Sequence, residues 1–271
     1  MTPTPDCPTE ADFLRHWRTT ADGVVDEVEL ALSGGALADR FAWVFMSGYQ
    51  AAIRRCFPEF VPAGWTCLAV AEPKDGPACT LVGDGPSSRL NGQKSWIAGS
   101  DSVEHLVVSV GADAERRFVS VAADAPGVTL TNPRTPTFLR ELSQGAARFE
   151  AVEVPDDRIL SDPVRAQWFR GAEPLYVLLA LNACLKRQAD ALGEAQVSRL
   201  ADTAIAVGGA LPAQLGDKTR IVPGLDSLRS ATTAVIESAS RLRRRFPPSL
   251  AESWEADALL FGMFGVSGSR P

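Results

Sequence analysis

Histidine is scarce in this chain, and its cysteines do not occur in ligand-like pairs. The 271 residues include two histidines, His16 and His105, and five cysteines that form no C-x-x-C motif. Zinc sites of the usual kind need closely spaced Cys and His ligands, so we expect no metal site. An odd number of cysteines without such spacing is typical of free thiols in a reducing compartment.

Long apolar runs and an excess of positive charge are also missing. No stretch approaches the roughly 20 apolar residues that a membrane span needs, and the first residues show neither the basic nor the apolar part of a signal peptide. The formal net charge is −6, whereas nucleic-acid binders usually present a basic face. We therefore expect a soluble, cytoplasmic protein that binds neither membranes nor nucleic acid.

One basic run stands out against this acidic background, from Arg241 to Arg245. Two interpretations remain open. The run is either a cationic helix C-terminus that complements the helix dipole, or an anion patch for a phosphate-bearing ligand.

Apolar residues at helical spacing predict helices in both outer thirds of the chain. Residues 41–53 form one amphipathic pattern, and Ser33-Gly34-Gly35 is expected to break the helix before it. Toward the other end we predict helices over residues 174–192, 197–207, 226–245 and 253–264.

The middle of the chain has short β-type segments separated by turn residues. Asn91-Gly92 lies between two such segments and predicts a hairpin turn. The predicted domains are therefore a helical one at 1–64, a β-sandwich or barrel-like one at 65–160, and a helical bundle at 161–271.

Three stretches in this order resemble the acyl-CoA dehydrogenase family. Leu90-Asn-Gly-Gln-Lys-Ser-Trp-Ile-Ala98 is similar to the family's hairpin, in which an Asn-Gly turn leads to a Trp-Ile-Thr strand against the flavin. Leu68-Ala-Val-Ala-Glu-Pro73 is similar to its strand ending in Thr-Glu-Pro. Phe149-Glu-Ala-Val-Glu-Val-Pro155, followed by Arg158-Ile-Leu160, resembles its exit from the β-domain. The chain is identified as a shortened, divergent member.

The resemblance implies an α+β fold with an N-terminal helical segment, a middle β-domain and a C-terminal helical bundle. It also implies FAD as the cofactor, an acyl-CoA or acyl-carrier thioester as the substrate, and assembly with copies of itself or with a related chain. In the family a carboxylate takes the α-proton of the substrate while the flavin accepts a hydride.

The same resemblance implies which residues bind the cofactor. Trp96 matches the aromatic residue that lies against the flavin ring. The remaining implied cofactor-binding residues are Ala69, Val70, Ala71, Ile97 and Ala98. Ala71 and Ala98 stand where the family commonly has Thr, so two hydroxyl groups are lost. The phosphate-facing loop is also changed, because Pro77 lacks the N–H donor that such a loop uses.

The catalytic base implied by the family is displaced in this chain. Gly265 occupies the usual position of the glutamate. Some branches carry the base at the start of the first long C-terminal helix, and there Glu173 is the candidate. Arg220 and the Arg241–Arg245 run are the cations that could replace a missing FAD-binding arginine.

Three functions remain open at this point. The first is α,β-dehydrogenation of an acyl thioester with FAD. The second is a non-catalytic partner subunit or scaffold, for which an exposed apolar face at Leu259, Leu260, Phe261, Met263 and Phe264 would be the signature. The third is a flavin-dependent oxygenase or a non-redox enzyme of specialised metabolism.

Overall fold

The computed structural model describes residues 5–21, 23–60, 64–83, 86–132, 135–214 and 224–266. The chain divides into two compact units. One unit comprises Met1–Cys56 and Gln167–Pro271, and the other comprises Phe57–Ala166. The first is helical and the second holds the strands, so the predicted α+β class is confirmed. None of the described helices combines the length and apolar character that a membrane span requires.

The helices of the described chain are as follows. They are α1 Glu10–Ala21, α2 Glu27–Leu37, α3 Phe41–Cys56, α4 Arg165–Leu192, α5 Ala195–Gly209, α6 Leu225–Ser240, α7 Pro248–Ala256 and α8 Leu259–Met263.

Helix α4 passes its neighbours at very short range. A Cβ atom added to Gly35 of α2 would lie 2.2 Å from the Ala180 carbonyl oxygen of α4. A Cβ atom added to Gly48 of α3 would lie 2.4 Å from the Val177 nitrogen, also in α4. Backbones approach this closely only where one partner has no side chain. The glycines of α2 and α3 therefore set how these helices pack on α4.

This packing overturns the expected helix break at Ser33-Gly34-Gly35. Helix α2 continues through these residues to Leu37, and both glycines are buried. A glycine costs a helix about 1 kcal/mol relative to alanine. The close crossing with α4 outweighs that cost, so the prediction was wrong because tertiary packing overrides local propensity.

Two other helix predictions needed correction at their ends. The single helix expected over 253–264 is two helices, because α7 ends at Ala256 and α8 begins at Leu259. Between them the buried Asp257 accepts a hydrogen bond from Ser253 Oγ at 3.2 Å. Helix α6 ends at Ser240, so the arginine run follows a helix C-terminus, as one of its two interpretations predicted.

The β unit consists of two four-stranded sheets. One has the order β1-β4-β5-β8 and the other β2-β3-β7-β6. Strand β1 pairs with β4 in parallel, and the other pairings are antiparallel. The strands are β1 Thr66–Ala69, β2 Thr80–Val82, β3 Ser87–Ala98, β4 His105–Val110, β5 Arg117–Ala122, β6 Val128–Thr131, β7 Gln144–Pro155 and β8 Ile159–Leu160.

Strand β3 runs straight through Asn91-Gly92, so the predicted hairpin turn was wrong. Leu90 pairs with Val152 and Gly92 with Phe149, which leaves an extra residue on β7, a β-bulge. Ala151 in this bulge has a positive φ of 51°, and its N–H donates to Asn91 Oδ1 at 2.8 Å. The asparagine therefore serves the bulge of the neighbouring strand rather than a turn of its own.

The cysteines agree with the prediction from their spacing. All five are free and buried.

The α2–α4 crossing can be tested by two glycine substitutions. We expect Gly35→Ala to lower the free energy of unfolding by about 1–3 kcal/mol, because the new methyl group meets backbone atoms. Gly262→Ala in α8 is the matched control, since its added Cβ meets nothing within 4 Å. The control should be neutral or stabilise by up to about 1 kcal/mol. Equal unfolding midpoints for the two variants in urea would contradict the crossing.

Candidate functional site

A second β-bulge determines where the side chain of Trp96 lies. Lys94 pairs with Ala147 and Ile97 pairs with Gly145, so Ser95 and Trp96 lie opposite a single residue of β7. Regular alternation would place Trp96, two residues after the buried Lys94, on the inner face of the sheet as well. The bulge interrupts this alternation, and Trp96 is half-buried and lines an open cleft. Bulges commonly re-aim side chains in this way.

The cleft beside Trp96 has a volume of about 720 Å³. Its lining includes cross-strand neighbours of β3, β7 and β6, since Gln93 pairs with Arg148 and Arg148 with Thr129. The lining is rich in hydroxyl groups, which are supplied by Ser95, Thr129, Thr131, Thr135 and Thr137.

Gln144 holds the indole of Trp96 in place. The indole N–H donates to Gln144 Oε1 at 3.3 Å. The amide nitrogen of Gln144 in turn donates to the carbonyl oxygen of Phe138 at 2.6 Å. The ring is therefore oriented by a side chain whose own direction is fixed by the backbone.

Lys94 is a buried cation that joins the two sheets. Its side chain has no exposed surface, although β3 lies in one sheet and its partners lie beside β1 and β4 of the other. The ammonium donates to the Val70 carbonyl at 3.2 Å, to Glu72 Oε1 at 3.0 Å and to Ser109 Oγ at 3.3 Å. All three of its protons are therefore used.

The segment that follows β1 is fixed by these contacts and by two others. The Ala71 carbonyl accepts a hydrogen bond from the Ser95 N–H at 2.8 Å, and Glu72 Oε1 also accepts one from the Cys79 N–H at 3.2 Å. Partial burial acts to raise the pKa of Glu72. The Lys94 ammonium and the Cys79 N–H outweigh that effect, and the pKa lies below its usual value. Glu72 is therefore held as a carboxylate.

The implied cofactor-binding residues fall into two groups. Val70 and Ala71 are exposed, and their carbonyl groups accept hydrogen bonds from Lys94 and Ser95 of β3. Ala69, Ile97 and Ala98 are fully buried, so their side chains belong to the core of the β unit.

Residue 98 offers a ligand neither a side-chain hydroxyl group nor a free backbone N–H. Besides lacking the hydroxyl of threonine, Ala98 donates its backbone N–H to Cys67 Sγ at 3.3 Å. In the altered loop, Pro77 uses its carbonyl oxygen to accept the Gln93 N–H at 3.1 Å. The polar groups expected at these two places are thus missing or already occupied.

Glu173 was predicted to lie at a helix start. It lies instead in the third turn of α4. The helix begins at Arg165 and contains Pro174 in its interior. Pro174 leaves the Arg170 carbonyl without its helical donor, which costs about 3 kcal/mol. The preceding turns persist because they are packed, as shown by the edge-to-face contact of Phe169 with Tyr49 at 5.5 Å.

The carboxyl group of Glu173 has no hydrogen-bond or ion-pair partner among the residues that the structure describes. Burial raises its pKa from 4.5 to about 7. A carboxyl group with such a pKa exchanges a proton near neutral pH, as a general base does.

Gly265 has a structural role that excludes a catalytic side chain. It follows α8 with a φ of 73°. Its N–H donates to the Gly262 carbonyl at 3.2 Å, and the Val266 N–H donates to the Phe261 carbonyl at 2.9 Å. This is the Schellman arrangement that ends helices at a left-handed glycine. Glutamate here would be strained and would meet Arg229, whose Nε lies 2.9 Å from an added Cβ.

The remaining sequence candidates are less informative. Arg220 lies outside the described residues, and Arg245 is paired with Glu194. Of the predicted apolar face, Leu259 is 65% and Met263 is 58% exposed. The expectation was wrong for the other three members, which are the buried Leu260, Phe261 and Phe264. No cluster of three or more potential metal ligands occurs in the described part of the chain.

No family model matches the chain. Over 107 residues it is 29% identical to the mitochondrial short-chain specific acyl-CoA dehydrogenase of Rattus norvegicus, a match covering 36% of this chain and 26% of the relative. Over this stretch the chain is similar in sequence to an acyl-CoA dehydrogenase. The match spans about a quarter of that curated relative.

Solved structures show the same acyl-CoA dehydrogenase fold. Butyryl-CoA dehydrogenase from Megasphaera elsdenii superposes with a TM-score of 0.70 and 12% identity, covering 95% of this chain and 86% of that one. A structure described as an FAD-dependent dehydrogenase gives a TM-score of 0.65 and 13% identity, covering 92% and 88%. These likenesses establish the fold, and the fold alone does not fix the activity.

The family resemblance permits a test of whether the residues fit a flavin. A half-buried indole facing an open cleft suits a planar ring, because aromatic faces stack with an offset. The hydroxyl-rich wall of the cleft supplies further polar contacts. The residues fit the ring, while the two family positions at Ala71 and Ala98 contribute no side-chain hydrogen bonds.

Two residues of this site were missed in the sequence. Lys94 occupies an inward position in the alternation of β3, after Leu90 and Gly92. A lysine at an inward position is itself a signal, because buried charges need partners. Gln144 gave no signal, since its partner in the chain is 48 residues away.

The Lys94–Glu72 pair should show a marked asymmetry in stability. Glu72→Met leaves a fully buried ammonium without its counter-charge, and we expect it to cost about 3–5 kcal/mol. Lys94→Met leaves a carboxylate that is 36% exposed and can be hydrated, so its cost should be about 1–2 kcal/mol. The double variant should be more stable than Glu72→Met alone.

Urea unfolding of the three variants measures this cycle. The exposed pair of Arg89 and Glu153 is the control, and Arg89→Met should change stability by less than about 1 kcal/mol. If Lys94→Met is less stable than Glu72→Met, then leaving the ammonium unpaired does not cost more stability than leaving the carboxylate unpaired, and the prediction is wrong.

Proposed function

We propose that this chain is an FAD-dependent oxidoreductase that oxidises an acyl thioester, carried on CoA or on an acyl-carrier protein, at its α,β position. The observation that carries the proposal is Glu173, a half-buried carboxyl group with no hydrogen-bond or ion-pair partner among the described residues and with a pKa of about 7. Burying an unpaired carboxylate is costly, and such groups concentrate at functional sites. The cleft beside Trp96 and the family relationship support the flavin.

Each residue of the proposal has a distinct role. Trp96 offers a flat apolar face to the ring, and Gln144 fixes the direction of that face. Glu173, as a carboxylate, removes the proton from the α-carbon of the thioester. The C–H electron pair left on the α-carbon becomes the new double bond as the β-hydrogen leaves as hydride. FAD, when bound, supplies the hydride acceptor.

The pKa of Glu173 sets the expected pH dependence. The base must be ionised, so the rate should rise with pH through about 7. We expect Glu173→Gln to slow anaerobic bleaching of the flavin absorbance by an acyl-CoA about a hundred- to ten-thousand-fold, the usual contribution of a general base. Wild-type bleaching rates in Glu173→Gln would exclude Glu173 as the base.

Stability gives an independent readout of the same group. Because its folded pKa is raised, ionised Glu173 destabilises the fold, so stability is lost as pH rises from 4.5 through about 7. At pH about 8, Glu173→Gln should therefore be more stable than wild type, on the order of 2 kcal/mol. Glu255→Gln, on the exposed side of α7, is the control and should behave as wild type at each pH.

A second candidate function is a non-catalytic partner of a longer homologous chain. Gly265 favours it, since the usual position of the base has become a helix-ending glycine. The exposed Leu259 and Met263 offer an apolar contact for such a chain. A purified protein that takes up no FAD but associates with a longer relative would support this alternative over the first.

A further inference from the structure

We propose that Lys94 is the positioning residue for the flavin, acting through the segment of Val70, Ala71 and Glu72. This inference rests on the proposed function, since it requires a flavin beside Trp96. It assigns to Lys94 a role in binding geometry that goes beyond its contribution to the fold.

Burying the Lys94 ammonium is costly. A fully buried ammonium loses several kcal/mol of hydration, and well-packed apolar residues often replace buried ion pairs without loss of stability. Strand β3 already presents Leu90 and Ile97 to the core. A methionine or leucine at position 94 would thus serve the core as well, so the cation is not needed for core packing.

The three protons of the Lys94 ammonium are directed at the segment after β1 and at β4. Two of them reach the irregular segment after β1, at the Val70 carbonyl and at Glu72 Oε1. The third reaches Ser109 Oγ in β4. Strand β1 ends at Ala69, so the segment beyond it lacks the regular ladder of a strand. The ammonium supplies fixed hydrogen-bond geometry where the sheet no longer does.

Lys94 is separated from Trp96 by a single residue of β3. Ser95, the next residue, donates its N–H to the Ala71 carbonyl at 2.8 Å, and Trp96 follows. The segment of residues 70–72 and the bulge that directs Trp96 are therefore tied at consecutive residues of β3. If Lys94 is lost, the exposed Val70 and Ala71 can shift relative to Trp96. In an active site, a misplacement of about 1 Å lowers the reaction rate by up to about a hundredfold.

Flavin titration of variants tests this role. The dissociation constant for FAD and the visible spectrum of the bound flavin are measured for wild type, Lys94→Met and two controls. We expect Lys94→Met to weaken FAD binding at least about tenfold and to change the shape of the bound-flavin absorption band. Loss of stability alone lowers the amount bound but leaves that band unchanged.

The controls separate positioning from stability. Gly35→Ala destabilises the helical unit, and Arg89→Met removes an exposed ion pair of the β unit. Both should bind FAD as wild type does when measured well below their unfolding midpoints. A Lys94→Met variant that binds FAD with the wild-type constant and spectrum overturns the inference while leaving the proposed function intact.

A milder variant keeps the test decisive if Lys94→Met does not fold. Glu72→Asp retains a carboxylate for Lys94 but withdraws it by one methylene group. We expect it to weaken FAD binding about threefold with the same spectral change, a smaller displacement than loss of the cation. Unchanged FAD binding by Glu72→Asp would then overturn the inference. A wild-type protein that binds no FAD instead refutes the proposed function, and the role of Lys94 with it.

Discussion

One charged group buried between two sheets determines the geometry of the candidate site. The Lys94 ammonium extends from a strand of one sheet to acceptors in β4 and just after β1 of the other, and it helps to keep its counter-charge on Glu72 ionised. A buried cation tolerates little movement of its partners, because any acceptor that withdraws leaves a costly unpaired donor. The irregular chain after β1 is therefore fixed relative to β3, and the bulge two residues on directs Trp96 outward.

In the helical unit the main constraint is close backbone packing around α4. Its central helix, α4, is clamped by glycines of α2 and α3 that leave no room for a side chain. The helix also continues across Pro174, because the turns before it are packed, and so it holds Glu173, whose carboxyl group has no partner among the described residues. Backbone packing in one unit and a buried charge in the other each stabilise a residue that local energetics disfavours. That pattern is typical of functional sites.

Much of the architecture follows from local pattern, and the failures share one physical cause. Helices α3 and α5 lie close to where helical spacing predicts them, and the eight strands all lie within the middle segment predicted to be β-type. Gly35 was expected to help break a helix, and Asn91-Gly92 was expected to form a hairpin turn. Pro174 was likewise expected near a helix start. In each case a contact between residues distant in sequence outweighs the local preference. These contacts join Gly35 to Ala180, Asn91 to Ala151, and Phe169, in the turn before Pro174, to Tyr49. Trp96 could be singled out from its motif, whereas its direction depends on a bulge that only the pairing of β3 with β7 reveals.

The central claim is that a flavin lies against Trp96, and fluorine NMR of the protein labelled with fluorotryptophan tests it directly. The chain has six tryptophans, and the Trp96→Phe variant assigns the resonance of interest by its disappearance. On addition of FAD, the account predicts that the Trp96 resonance shifts more than the other five. Binding of FAD that leaves the Trp96 resonance in place, or the absence of any shift at saturating FAD, would contradict it.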